Sequence, residues 1–156
     1  MRRLLVALAF AVGAVTAHAR LGDTLDQIRK RMGKPAEEPQ KNVAVWYYEV
    51  QDGQVAYIVT FDPKGKSMSE KLMPLRSALF LAATAESFVR MQCEIVAQSK
   101  TLHQITPGER YQFGGHDFLC DTKQYVLLDS PNDFLLVWTQ SGVPSVMAVR
   151  PEAMGH

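Results

Sequence analysis

The sequence predicts an α+β protein, with short helices packed on one face of an antiparallel sheet. Three observations carry that expectation. The stretch Leu21 to Pro35 (LGDTLDQIRKRMGKP) has the start and stop signals of a short helix, the run around Trp46, Tyr47 and Tyr48 alternates like a strand up to Asp52-Gly53, and helix followed by strands recurs in the C-terminal half. That recurrence allows two helix-plus-sheet units in tandem, at 20–75 and 76–150, although no residue-level repeat enforces it.

The first segment reads as an export signal. Arg2 and Arg3 precede an apolar run from Leu4 to Val15, and Ala17, His18 and Ala19 put small residues where a signal peptidase reads them. Residues 1–19 are therefore expected to be cleaved after Ala19, leaving 20–156 as a single domain that is periplasmic or secreted. The apolar run is shorter than the roughly 20 residues of a membrane-spanning helix, so an uncleaved anchor is the weaker alternative. Cleavage would remove two of the 17 basic residues and none of the 16 acidic ones, leaving a net charge of −1. Such a balance gives no electrostatic case for nucleic acid.

Thr24 is placed to cap the first helix, with Gln27 three residues on reaching back to the cap's own amide. Leu25, Ile28 and Met32 fall on one side, Asp26, Arg29, Lys30 and Arg31 on the other, and Gly33 and Pro35 end the helix. A helix of two to three turns is marginal alone, so its apolar side must dock on the strand around Trp46. Residues 36–42 (AEEPQKN) read as a loop. Strands over 43–51 and 54–61 flank Asp52-Gly53, a strong hairpin signal, which sets Val50 opposite Val55, Tyr48 opposite Tyr57, Trp46 opposite Val59 and Ala44 opposite Phe61 on one core face. The other face mixes Glu49 and Thr60 with Val45, Tyr47, Ala56 and Ile58. Asp62-Pro63-Lys64-Gly65 is a type I turn sequence leading to a third strand near 66–73, polar enough for a sheet edge.

A second helix is centred on Thr84 to Val96, with Leu81, Ala85, Phe88 and Gln92 on successive turns. Arg110 to Phe113 and His116 to Cys120 then surround Gly114-Gly115, placing Tyr111, Phe113, His116 and Phe118 on one face of a hairpin. Strands over Tyr125–Leu128, Phe134–Thr139 and Ser145–Val149 complete the chain.

The order Gly22, Thr24, Gln27, Ile28, Met32, Gly33, Pro35, then a Trp-Tyr strand and a strand ending in Phe61, resembles BamE-like (SmpA/OmlA) domains and the related repeats of β-lactamase-inhibitor proteins. The resemblance covers about 50 of the 156 residues. It implies a short helical segment against an antiparallel sheet, and a protein that acts by binding other proteins in envelope assembly or in inhibition of a partner. BamE-like proteins are typically lipoproteins, and this chain has no Cys beside the export cleavage site, so a membrane anchor is not implied.

Residue types that carry chemistry are sparse. Cys93 and Cys120 are the two cysteines, expected to pair in an oxidising compartment, where the bridge would contribute about 3.5 kcal/mol on the loop-entropy model. Two buried apolar thiols are the alternative. Cys120 with His116 as its base would make a thiol enzyme, but four residues along a strand span about 13 Å, beyond hydrogen-bond reach. His116 next to Asp117 lacks a third ligand at metal spacing, and neither a catalytic nor a cofactor signature is present. The candidates for touching a partner are Tyr47 and Glu49 on the mixed strand face and Arg29 and Arg31 on the helix. These observations favour a protein-binding module without catalysis, cofactor, metal or stable membrane anchor. A small-ligand carrier and a small periplasmic thiol enzyme or hydrolase are the rivals.

Overall fold

A computed structural model of the chain describes residues 21–40, 42–50, 53–75, 82–96, 102–129 and 134–155. The export signal at 1–19 lies outside the described residues, as does Leu81. Helix α1 (Leu25–Met32) begins as its sequence demands: the Gln27 amide donates to Thr24 Oγ1 at 3.3 Å and the Thr24 amide to Gln27 Oε1 at 2.8 Å. Two amides that a helix start leaves open are thus satisfied reciprocally. Gly33 ends the helix at a φ of 79°, its amide donating to the Arg29 carbonyl at 2.9 Å. The Gly33 carbonyl in turn accepts the Trp46 indole N–H at 3.1 Å, which fastens the end of the helix to the sheet.

The strands are β1 (Glu37–Gln40), β2 (Val43–Val50), β3 (Gly53–Phe61), β4 (Ser67–Leu75), β5 (Leu102–Ile105), β6 (Arg110–Phe113), β7 (His116–Leu119), β8 (Gln124–Asp129), β9 (Phe134–Thr139) and β10 (Ser145–Val149). Helix α2 (Ala82–Val96) stands between β4 and β5, and a 3₁₀ turn, Pro151–Met154, follows β10. Eight strands form one antiparallel sheet in the order β1-β2-β3-β4-β10-β9-β8-β5, and β6-β7 make a separate ribbon. The chain works inward from one edge to β4 and from the other to β10, and those two strands close the sheet, with Leu72 opposite Val146 and Glu70 opposite Ala148.

This architecture corrects the expected α+β class. Among the described residues the molecule is predominantly antiparallel sheet, with two short helices of 8 and 15 residues. The physical reasons lie in particular segments. Part of the supposed loop at 36–42 is β1, which pairs with β2; β5 adds the opposite edge; and β4, for all its polar residues, is a central strand rather than an edge. The hairpin of β2 and β3 is also shifted: Trp46 faces Tyr57, Tyr48 faces Val55 and Ala44 faces Val59. The shift is two residues, so every side chain keeps its expected face.

Period-two alternation then sorts the sheet into two faces. The inner face carries Ala44, Trp46, Val55, Tyr57, Val59 and Leu136, against which Ile28 of α1 and Ala85, Phe88 and Met91 of α2 pack. Ile28 is fully buried, which contributes about 1.5–3 kcal/mol. Tyr57 meets Trp46 and Phe88 edge-on, at centroid distances of 6.1 and 6.3 Å, the arrangement that aromatic quadrupoles favour. On the outer face the C-terminal half is covered by the β6-β7 ribbon and the 3₁₀ turn, whose Tyr111, Phe113 and Met154 pack over Val126, Leu128, Leu135 and Val149.

Candidate functional site

Two features stand out, an open sheet face and a buried carboxyl. The outer face of β2, β3 and β4 presents Tyr47, Ala56 and Met73 in one cross-strand row and Val45, Ile58 and Lys71 in the next. Tyr47 is 41% exposed, an unusual position for a large aromatic side chain, and Val45, Ile58 and Met73 around it are half-buried. The Tyr47 hydroxyl donates to Glu37 Oε1, and that hydrogen bond, ahead of desolvation, pushes its pKa up. Glu49, on the same face, accepts from Gln54 Nε2 at 2.8 Å.

The four residues expected to touch a partner are not one surface. Arg29 and Arg31 belong to α1, which lies against the inner face, whereas Tyr47 and Glu49 point outward on the other side of the sheet. Both arginines also face acids of their own neighbourhood: Arg29 lies 3.6 Å from Asp26, and Arg31 pairs with Asp23. The open patch is therefore Tyr47 and Glu49 with Val45 and Ile58, which strand alternation already put on this face, and Met73, which it did not.

The expected disulfide is also corrected, because Cys93 and Cys120 are both free thiols. Cys93 sits on α2 against the inner cluster and Cys120 lies in the outer one, so the sheet stands between two atoms that a bridge would have to bring together. Burial pushes both thiols up, and for Cys120 the carboxylates of Asp121 and Glu109 add to it. Thiols held protonated are weak nucleophiles. His116 is exposed on the ribbon with its ring 6.4 Å from that of Phe118, while Asp117 accepts from Gln112 at 2.9 Å. Among the described residues no three His, Cys, Asp or Glu side chains gather as a metal site would require, and no helix is long and apolar enough to cross a membrane.

The second feature is Glu70, whose side chain is fully buried on the inner face. Its Oε2 accepts from the Tyr57 hydroxyl at 2.7 Å and from the Gln92 amide of α2, and its Oε1 accepts from the Ser67 hydroxyl at 3.1 Å. Desolvation outweighs these three donors and lifts its pKa to about 7. Ser67 and Glu70, three residues apart, would normally point to opposite faces. They point the same way because the pairing slips at a bulge: Phe61 faces Ser67, but Thr60 faces Ser69. The bulge is held from both sides, by the Gly22 amide donating to the Ser67 carbonyl at 2.8 Å and the Arg150 amide to the Met68 carbonyl at 2.9 Å. Nothing in the residue types at 66–73 announces that slip, which is why sequence reasoning placed a polar edge there.

Compared with protein-family models, with curated proteins and with solved structures, the chain matches none of them.

Proposed function

We propose that this is an exported module that binds another protein through the outer face of β2, β3 and β4. The observation that carries the reading is the contrast between the two halves of one sheet face. Over β8, β9 and β10 the outer face is sealed by the ribbon and the 3₁₀ turn, whereas over β2 to β4 an exposed Tyr47 stands among half-buried Val45, Ile58 and Met73. Aromatic and methionine side chains flanked by polar ones have the composition of interface centres. An open sheet face, with Glu37 and Glu49 at its margin, suits a protein surface better than a small ligand, which is usually enclosed in a concave pocket. Export is supported by the charged, apolar and small-residue pattern of residues 1–19, and protein binding by the likeness of Gly22 to Phe61 to BamE-like domains.

The test is capture from native cell-envelope extract on the immobilised chain, read by mass spectrometry for wild type, Met73→Glu, Tyr47→Ala and Arg29→Ala. A single protein held near stoichiometry by wild type and by the Arg29 variant, and lost from the Tyr47 and Met73 variants, is the expected result. Loss on changing Arg29 but neither outer-face residue would move the binding surface to α1, and no retained protein would refute the reading.

A further inference from the structure

We propose that Glu70 is a proton-operated latch, which seats helix α2 on the sheet while the carboxyl is neutral and loosens it when the carboxyl ionises. The carboxyl lies where three elements meet, and each supplies one uncharged donor: Tyr57 from β3, Ser67 from β4 itself and Gln92 from α2. Among the described residues the charges around it give an ionised form no counter-ion. Asp23, in the stretch before α1, has the same sign and opposes ionisation; Arg31 of α1 is paired with that Asp23; and Tyr48 of β2 is a neutral phenol. From β10 the residue opposite is Ala148, and of the charged residues of α2 Glu86 and Arg90 are exposed. A buried carboxylate with neutral partners alone is unfavourable until water reaches it.

The three donors are not equally movable. Tyr57 and Ser67 are fixed by the β3-β4 ladder, so they cannot withdraw without breaking the sheet. Gln92 belongs to a helix that has no place in the ladder and is held by Ala85, Phe88 and Met91 through side-chain packing. Admitting water by shifting α2 is therefore the least disruptive route. In the neutral state the carboxyl carries no charge for water to solvate. The carboxyl proton is donated to Ser67 Oγ, which already accepts the Gly22 amide at 2.9 Å and has a second lone pair, while Gln92 still donates to the other oxygen. On ionisation one proton leaves to solvent and all three neighbours donate to the carboxylate. The burial that lifts Glu70 to about 7 puts the change near neutrality.

Amide hydrogen exchange of the full chain, followed residue by residue as protection factors, tests the latch. In wild type the protection of Ala82 to Val96 should fall about tenfold per pH unit from the ordinary carboxyl range up to about 7, then level off, and should lie below that of β2 and β3 at every pH because α2 opens without the sheet. Glu70→Gln, close in shape and unable to ionise, should abolish the slope. A flat wild-type profile, a slope that survives in Glu70→Gln, or protection in α2 equal to that in β2 and β3 would overturn the proposal, the last because it marks global unfolding. Should the variant fail to fold, the carboxyl carbon resonance of Glu70 in wild type decides. A midpoint near 7 together with the α2 slope supports the latch, and an ordinary midpoint near 4.5 refutes it.

Discussion

Tyr48 is half-buried on the inner side of β2 with a hydroxyl that finds no hydrogen-bond partner, and desolvation raises its pKa to about 12. An unpaired buried hydroxyl costs about 1–3 kcal/mol, so Tyr48→Phe should leave the protein as stable or up to that much more stable in a urea titration. A clear loss would mean that the hydroxyl has a partner. Glu70 illustrates the opposite case, a buried polar group with every partner in place. Its folded pKa of about 7 stands above the ordinary carboxyl value of 4.5, so the folded state binds the proton more tightly than the unfolded chain does. The stability it contributes is fully present below the unfolded value and is lost as pH rises through the folded one, a total of about 3 kcal/mol. Glu70→Gln should lack this pH-dependent contribution. The stability difference between the two proteins, measured from pH 4 to 8, should shift in favour of the variant as pH rises, and a difference independent of pH would contradict the burial of this carboxyl.

At the scale of elements, the β6-β7 ribbon is joined to the rest of the molecule at its turn. Gly114 and Gly115 both take positive φ, 56° and 80°, as the two-residue hairpin turn requires. A Cβ at Gly114 would stand 2.8 Å from Met154 Cγ and 3.2 Å from the Pro151 carbonyl oxygen, whereas one at Gly115 meets nothing within 4 Å. Both alanine variants carry the left-handed strain of roughly 1–2 kcal/mol, and Gly114→Ala adds about 1–3 kcal/mol of overpacking against the 3₁₀ turn. Equal destabilisation of the two in thermal or urea unfolding would show that the turn is not seated on the ribbon. This hairpin was legible in the residues, with Tyr111 opposite Phe118 and Phe113 opposite His116, because a Gly-Gly pair leaves one easy solution. The capped α1, the span of β9 and β10 and the turn at Asp62 were legible for the same reason, since local chemistry decides them. The β2-β3 register was not, because a shift of two residues satisfies the same apolar alternation. Glu70 was hidden for a further reason: the bulge after Ser67 is imposed by Gly22 and Arg150, residues far apart in the chain.

Across the whole molecule, one continuous sheet separates two unlike layers. The inner layer holds both helices, the aromatic cluster and Glu70; the outer layer is sealed at one end by the ribbon and open at the other around Tyr47. The α+β class was predicted from helix-then-strand order, but order along the chain does not tell whether two sets of strands remain separate. Here the pairing of β4 with β10 joins them, and that pairing depends on contacts between residues far apart in the chain, such as Glu70 and Ala148, which no local pattern records. The placement of an open aromatic face opposite a closed one is the central claim, and Trp46, Tyr47 and Tyr57 report on it directly. Tyr47 is 41% exposed, while Trp46 and Tyr57 are each 3% exposed. Hydroxyl-radical footprinting of the folded full chain, read by mass spectrometry at these three residues, should oxidise Tyr47 at least several-fold faster than Tyr57, with Trp46 protected despite its greater intrinsic reactivity. Rapid oxidation of Trp46 with protection of Tyr47 would place the faces the other way round and contradict both the core and the binding surface described here.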